Sequence, residues 1–140
     1  MKISEDIVTK VFSGMQFDDV LDDLTNEIKS RNYLITRVNN IDNIHDRLTS
    51  GSSKKSAFKN YKIVEFCNLE SCSQLISSDL LAGVFMPAKF IVYQTLDENE
   101  VYISFLSPIS FASLFNSEKM MGIAKIMEKD MHEVLEEIDF

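Results

Sequence analysis

The sequence has few of the residues that metal centres and disulfide frameworks require. Its 140 residues include two cysteines, Cys67 and Cys72, and two histidines, His45 and His132. Structural zinc sites use about four such ligands at short spacings, so a zinc-stabilised fold has poor support. With 45% apolar and 26% charged residues, the chain is instead typical of a globular protein, and a disordered or collagen-like chain is excluded.

Cations are also scarce. Fourteen Lys and Arg residues stand against 22 Asp and Glu residues, which gives a formal net charge of −8. A protein that binds nucleic acid unaided usually has the opposite balance, because phosphates are neutralised by clustered cations. We therefore expect no nucleic-acid partner.

Long hydrophobic runs are missing as well. The N-terminal residues MKISEDIVTKVF contain no apolar run before acidic residues appear, which does not fit a signal peptide. The longest apolar stretch, 80–93, is interrupted by Gly83, Pro87 and Lys89 and is too short to cross a bilayer. We expect a cytoplasmic protein with no membrane partner, in which reduced thiols are the default state of the cysteines.

What the sequence does contain is clear periodicity. Strands are predicted where apolar residues alternate or β-branched and aromatic residues cluster, at 7–12, 33–38, 61–67, 88–95 and 101–106. Helices are predicted where apolar residues recur every three or four positions, at 17–28, 41–48, 69–76 and from about 117 onwards. Asn32 is a plausible left-handed helix stop, and the small polar residues 49–56 form a predicted loop.

These elements give the order β-α-β-α-β-α-β-β-α in one α+β domain that spans residues 1–140. The last two strands are separated by Asp97–Glu100 and form a predicted hairpin, so they pair antiparallel. A mainly antiparallel sheet with helices packed on one face follows. A domain of this length can bury about 70% of the surface that its unfolded chain exposes.

One central stretch carries a family resemblance. A strand ends in Glu65–Asn68 (Glu-Phe-Cys-Asn), a short helix follows, Asp79 lies in the next loop, and Met86-Pro87 leads into the strand that contains Tyr93. With the N-terminal strand and helix and the C-terminal helix, this pattern resembles the bacterial and archaeal domain-of-unknown-function family 302. The resemblance covers nearly the whole chain.

The resemblance implies a fold but no activity. It implies a compact α+β domain with a curved antiparallel sheet, of the kind grouped with TATA-binding-protein-like folds, and a homodimer. Two positions depart from the family pattern: Leu69 stands where the family usually has Pro, and Ala88 stands where many members have a second Cys. Cys72 can replace that second cysteine only if the strand and the helix bring it close to Cys67.

Two groups of residues are candidate binding sites. The first is a ligand site at Cys67, Asn68, Pro87 and Tyr93, and it rests on fold analogy with sheets that leave a concavity. The second is a basic run that could attract an anion or an acidic partner, within residues 47–62. Its members are Arg47, Lys54, Lys55, Lys59 and Lys62.

Three functions remain open at this point. The favoured hypothesis is a non-catalytic protein that binds a small ligand or a partner as a homodimer. The first alternative is a thiol-dependent enzyme or redox protein that uses Cys67, with the following helix lowering the pKa of its thiol. Cys67 can also be interpreted as a small buried apolar residue without a chemical role. The second alternative is an interaction module that uses the basic residues 54–62 or the acidic helix 17–28. No metal and no cofactor is indicated, and the absence of a paired acid/base set and of a phosphate loop disfavours an enzyme.

Overall fold

The computed structural model describes residues 2–41, 58–96 and 99–138. In these ranges the strands are β1 (Ile7–Phe12), β2 (Leu34–Asn40), β3 (Phe58–Cys67), β4 (Ala88–Thr95) and β5 (Val101–Leu106). The helices are α1 (Ile3–Asp6), α2 (Phe17–Ser30), α3 (Leu69–Ser78), α4 (Pro108–Ala112) and α5 (Glu118–Ile138), with 3-10 helices at Leu80–Phe85 and Ser113–Phe115.

The five strands form one antiparallel sheet in the order β1-β5-β4-β3-β2. This confirms the α+β class and the antiparallel sheet, and the hairpin of β4 and β5 has the bounds that the sequence predicts. Glu65 and Lys89 are register partners between β3 and β4. Because β1 pairs with β5 and β2 pairs with β3, the two N-terminal strands lie at opposite edges.

One face of the sheet carries the main core. Every second side chain along the central strands points to this face and packs against the apolar faces of α2 and α5, as the alternation in the sequence predicts. The buried strand residues in this cluster are Phe12, Val64, Phe66, Phe90, Val92, Val101, Ile103 and Phe105. The helices are thus packed on this face.

Helix α5 contributes to two buried clusters. Its C-terminal residues Met131, Val134, Leu135 and Ile138 belong to the main core. Its N-terminal residues Met120, Ala124 and Met127 instead form a second buried cluster with residues of α3, α4 and the 3-10 helix 80–85. The apolar stripe of α5 is therefore divided between two buried clusters, and α3 and α4 supply much of the apolar surface around its first half.

The end of α2 has the geometry that the sequence predicts. Asn32 adopts a left-handed conformation with φ of 64°, its amide donates to the carbonyl of Lys29, and the amide of Tyr33 donates to the carbonyl of Ile28. This pair of hydrogen bonds satisfies carbonyls at the helix end in a Schellman motif. Tyr33 and Ile28 are both buried in the main core, so the motif also directs the chain into β2.

The short helices α1 and α4 were not predicted. Tertiary hydrogen bonds join them: the amide of Ser107 donates to the carbonyl of Asp6, and the Ser110 hydroxyl donates to the Asp6 carboxylate at 2.6 Å. The predicted helix 41–48, apart from Ile41, and the predicted loop 49–56 lie outside the described residues.

Candidate functional site

The two cysteines are in contact. The Sγ atoms of Cys67, at the end of β3, and Cys72, in α3, lie 2.7 Å apart and share a hydrogen bond. Both residues are free thiols and both are partly exposed. The strand and the helix therefore do bring Cys72 to Cys67, which is the condition that the family resemblance left open.

The start of α3 explains this contact. Asn68 is the N-cap, with φ of −95° and ψ of 116°, and its side-chain oxygen accepts a hydrogen bond from the amide of Ser71 at 3.1 Å. Cys67 therefore occupies the position before the cap, and Cys72 is the fourth residue of the helix. Residues at these two positions commonly pack against each other and set the angle at which the chain enters the helix. In this protein both of them are cysteines.

The thiols open onto a groove of about 450 Å³. Its lining combines residues of β2 and β3 with α3 and the segment that precedes β4: Thr36, Arg37, Glu65, Cys67, Cys72, Ile76, Gly83, Met86 and Pro87. Arg37 and Glu65 are register partners on β2 and β3, so a cation and an anion lie beside an otherwise largely apolar surface. Met86 and Pro87 are joined by a cis peptide bond.

The Cys72 thiol is difficult to ionise. Burial raises the pKa of Cys72 to about 12, with further contributions from the hydrogen bond to Cys67 and from the charge that Cys67 would carry. A thiol with this pKa stays protonated at neutral pH, and only a thiolate is a good nucleophile. Cys72 is therefore a poor nucleophile at neutral pH.

A second cavity adjoins the groove. It has a volume of about 150 Å³ and shares Met86 and Pro87 with the groove. Phe85 and Phe111 also line it, and their rings stack with centroids 5.1 Å apart. Groove and cavity therefore form two neighbouring depressions with one common wall.

The structure brings three of the four predicted ligand-site residues to one end of the sheet. Cys67 and Pro87 line the same groove, and Asn68 caps the helix beside them. Tyr93 is not with them: it lies six residues beyond Pro87, which corresponds to about 20 Å along an extended strand. Tyr93 instead stacks between Tyr61 and Tyr102, at centroid distances of 5.6 and 5.2 Å.

The predicted basic surface is only partly described. Arg47, Lys54 and Lys55 lie outside the described residues. Lys59 donates to the side chain of Asn99 at 3.0 Å, whereas the Lys62 ammonium lies 6.0 Å from the centre of the Phe17 ring. Lys62 therefore contacts the N-terminal end of α2, on the helix-covered side of the sheet. The four aspartates of α2 are exposed beside its buried face, and Glu27 is partly exposed.

Sequence reasoning identified Cys67 and missed the contribution of the groove and of Cys72. A signal for Cys72 was present: Asn68 is a strong N-cap residue, and the spacing of five residues corresponds to the two positions that pack together at a helix start. Nothing comparable indicated Thr36 or Arg37, because β2 is far from β3 in the sequence. In the described ranges, His, Cys, Asp and Glu residues form no group of three or more suited to a metal ion, and no helix there has the length and apolarity needed to cross a membrane.

Comparisons with known proteins agree on one family. The family model described as "Domain of unknown function DUF302" matches residues 8–138. No curated protein matches the chain. The fold is similar to the crystal structure of an uncharacterized conserved DUF302 protein from Bacillus stearothermophilus, with a TM-score of 0.77, 20% sequence identity, and coverage of 93% of this chain and 95% of the other. Because the family model matches almost the whole chain, this chain belongs to the domain of unknown function family DUF302.

Proposed function

We propose that this protein carries out thiol–disulfide exchange through Cys67 and Cys72. The observation that supports this proposal is the contact between their Sγ atoms, 2.7 Å apart at the surface of an open groove. Two thiols held this close form a disulfide with little rearrangement, since a disulfide needs an S–S distance of about 2.05 Å. The groove gives a second molecule access to them.

The exchange needs no cofactor. The thiolate of Cys67 attacks a substrate disulfide, a bond forms between Cys67 Sγ and one substrate sulfur, and the other substrate sulfur leaves as a thiolate that takes a proton. Cys72 then loses its proton and attacks Cys67 Sγ. The mixed disulfide breaks, the second substrate thiol is released, and Cys67 and Cys72 are joined. Two electrons have passed from the pair to the substrate, and the reverse sequence oxidises a substrate dithiol.

The environment of Cys72 fits the resolving role. The attacking sulfur must be available as a thiolate, whereas the resolving sulfur reacts only after the mixed disulfide has formed. Burial and the neighbouring sulfur raise the pKa of Cys72 to about 12, which suits the resolving role. Once Cys67 is bonded to substrate it no longer carries a charge that opposes ionisation of Cys72, so the second step becomes easier.

Equilibration with glutathione tests this proposal. The folded protein is incubated in buffers of graded reduced and oxidised glutathione, quenched with an alkylating agent and analysed by mass spectrometry. We expect the wild type to lose two hydrogen atoms without retaining glutathione. Cys72→Ser should accumulate a glutathione adduct at Cys67, and Cys67→Ser should form its adduct at Cys72 much more slowly. A wild-type protein that keeps both thiols in oxidised glutathione, while its urea-unfolded chain forms the disulfide, would contradict the proposal.

The homodimer with a bound ligand is the second candidate, and a different part of the sheet favours it. The face opposite the main core carries the stacked side chains of Tyr61, Tyr93 and Tyr102, with Ile63 and Ile91 beside them along β3 and β4. None of these five partly buried residues belongs to either buried cluster. An apolar and aromatic sheet face of this kind is suited to contact with a second copy.

Native mass spectrometry separates this candidate from the first. A dimer that becomes a monomer in Tyr93→Lys, with the same far-ultraviolet spectrum, would support an interface on this face, and retained mass beyond the polypeptide would identify a bound ligand. A wild-type monomer without additional mass at micromolar concentration would count against both the dimer and a tightly held ligand.

A further inference from the structure

The cavity beside the thiol groove is suited to one apolar side chain. Its volume is about 150 Å³, which is the size at which an apolar protein cavity accepts a benzene-sized group. The aromatic side chains Phe85 and Phe111 and the aliphatic part of Met131 line it. Lys89 is the one charged residue of the lining among the residues that the structure describes.

The surface around this cavity is apolar and exposed. The 3-10 helix between α3 and β4 buries Ala82 and turns three large apolar side chains outward: Leu80, Leu81 and Val84 are 83%, 68% and 79% exposed. Val84 also lines the cavity, and Gly83 lines the thiol groove. The exposed residues therefore continue into both depressions. Exposed apolar clusters of this kind mark places where proteins bind apolar partners.

We propose that the substrate of the thiol pair is a disulfide-bonded polypeptide with a large apolar residue next to its half-cystine, and that this side chain occupies the cavity. The proposal rests on the thiol–disulfide exchange function. Met86 and Pro87 are the common wall of groove and cavity, so a chain that is bonded to Cys67 and runs towards the 3-10 helix meets the cavity beside the groove.

The same geometry disfavours glutathione as the physiological substrate. The residues that flank the cysteine of glutathione are a glutamate linked through its side chain and a glycine, and neither fills an apolar cavity. Glutathione uses only the groove, whereas an apolar peptide uses the groove, the cavity and the exposed surface of the 3-10 helix. Because burial of an aliphatic side chain is strongly favourable, we expect such a peptide to react about tenfold faster or more than a polar one.

The test uses the reduced full-length protein and two symmetrical peptide disulfides that differ in one residue. The residue beside the half-cystine is Leu in one peptide and Asp in the other, and the released thiol is followed by absorbance. We expect a Leu/Asp ratio of second-order rate constants of about ten or more for the wild type. Val84→Asp and, independently, Leu81→Asp should lower this ratio several-fold. The matched control is Leu114→Asp, since Leu114 is also exposed but lines neither depression.

The outcomes separate this inference from the exchange function. A ratio near one in the wild type, or a ratio that both variants leave unchanged, overturns apolar recognition while exchange with the peptides still holds. The absence of reaction with both peptides and with oxidised glutathione overturns the exchange function and the inference together. A high ratio that falls in Val84→Asp and Leu81→Asp but persists in Leu114→Asp supports the inference. Thermal unfolding of each variant confirms that the substituted protein is folded.

Discussion

The cap of α3 is the feature that connects local sequence with the proposed chemistry, and Asn68→Ala removes it. The Asn68 side chain accepts a hydrogen bond from the amide of Ser71 at 3.1 Å and donates to the carbonyl of Asn32 at 3.4 Å. Alanine at this position leaves the Ser71 amide without that acceptor, and the first turn of the helix carries Cys72. We expect both the stability of the protein and the pairing of the thiols to change.

The size of the effect follows from the cap. Replacing an Asn N-cap by Ala costs about 1 kcal/mol, within a range of about 0.5–2 kcal/mol. The entropy of unfolding is about 2.1 cal/mol/K per residue, so 1 kcal/mol corresponds to a fall in Tm of about 3 °C for a domain of this size. If the same free energy holds the two thiols together, the Cys67–Cys72 disulfide becomes easier to reduce by about 20 mV.

Two assays measure these quantities. Thermal unfolding of the reduced protein, followed by circular dichroism, gives the change in Tm. Equilibration in glutathione buffers gives the reduction potential. Asn68→Asp is the matched control, because Asp keeps the capping oxygen, adds a negative charge at the helix N-terminus and loses only the exposed 3.4 Å hydrogen bond to Asn32; we expect its Tm to lie within about 1 °C of the wild type.

Two results would refute the reasoning in different ways. An unchanged Tm in Asn68→Ala would show that the cap does not stabilise α3. A lower Tm with an unchanged reduction potential would show that the cap stabilises the helix but does not hold the two thiols in contact.

Three further predictions concern the stability of the fold. Phe66→Ala should lower the free energy of unfolding by about 3–5 kcal/mol in urea titrations, because the ring is fully buried; a loss below that range would mean that the core closes around the space. Burial and then the hydrogen bond to Asp130 raise the pKa of Tyr33 above its usual value near 10, so the folded protein retains a proton that the unfolded chain releases, and stability falls as the pH rises above about 10. Tyr33→Phe should therefore lose less stability than the wild type between pH 8 and pH 11. Equal losses in the two proteins would contradict a raised pKa of Tyr33. The Arg31–Glu133 ion pair, 2.7 Å long and partly exposed, should contribute less than about 1 kcal/mol, which Glu133→Gln tests at low and high salt.

The predictable part of the candidate site was local. Asn68 is an N-cap residue type, and its neighbours at the two packing positions are both cysteines, so the thiol contact was encoded within six residues. The groove was not encoded in this way. Arg37 reaches it because β2 pairs with β3, and Met86 and Pro87 reach it because the 3-10 helix directs the chain back across the end of the sheet before β4. Neither of these placements has a periodicity or a motif that the sequence displays.

Tyr93 is a residue whose strand was predicted correctly but whose neighbours were not. Its place in β4 was predicted correctly from the strand pattern, but its assignment to a site with Cys67 was an analogy between folds. The antiparallel register pairs Tyr93 with Tyr61 and Tyr102, and this register depends on which side chains of both faces are buried. A strand prediction specifies alternation along one segment and contains no information about the residue opposite.

The sequence by itself determined the local structure of this protein: the amphipathic helix α2 and its Asn32 stop, the hairpin of β4 and β5, and a helix start that places Cys67 against Cys72. These features depend on φ and ψ preferences, on capping and on periodicity, which act over a few residues. Only the tertiary structure decided the strand order β1-β5-β4-β3-β2, the division of α5 between two buried clusters, and the joining of groove and cavity at Met86 and Pro87. These features depend on contacts between distant segments, and such contacts stabilise the protein only when the whole chain has folded.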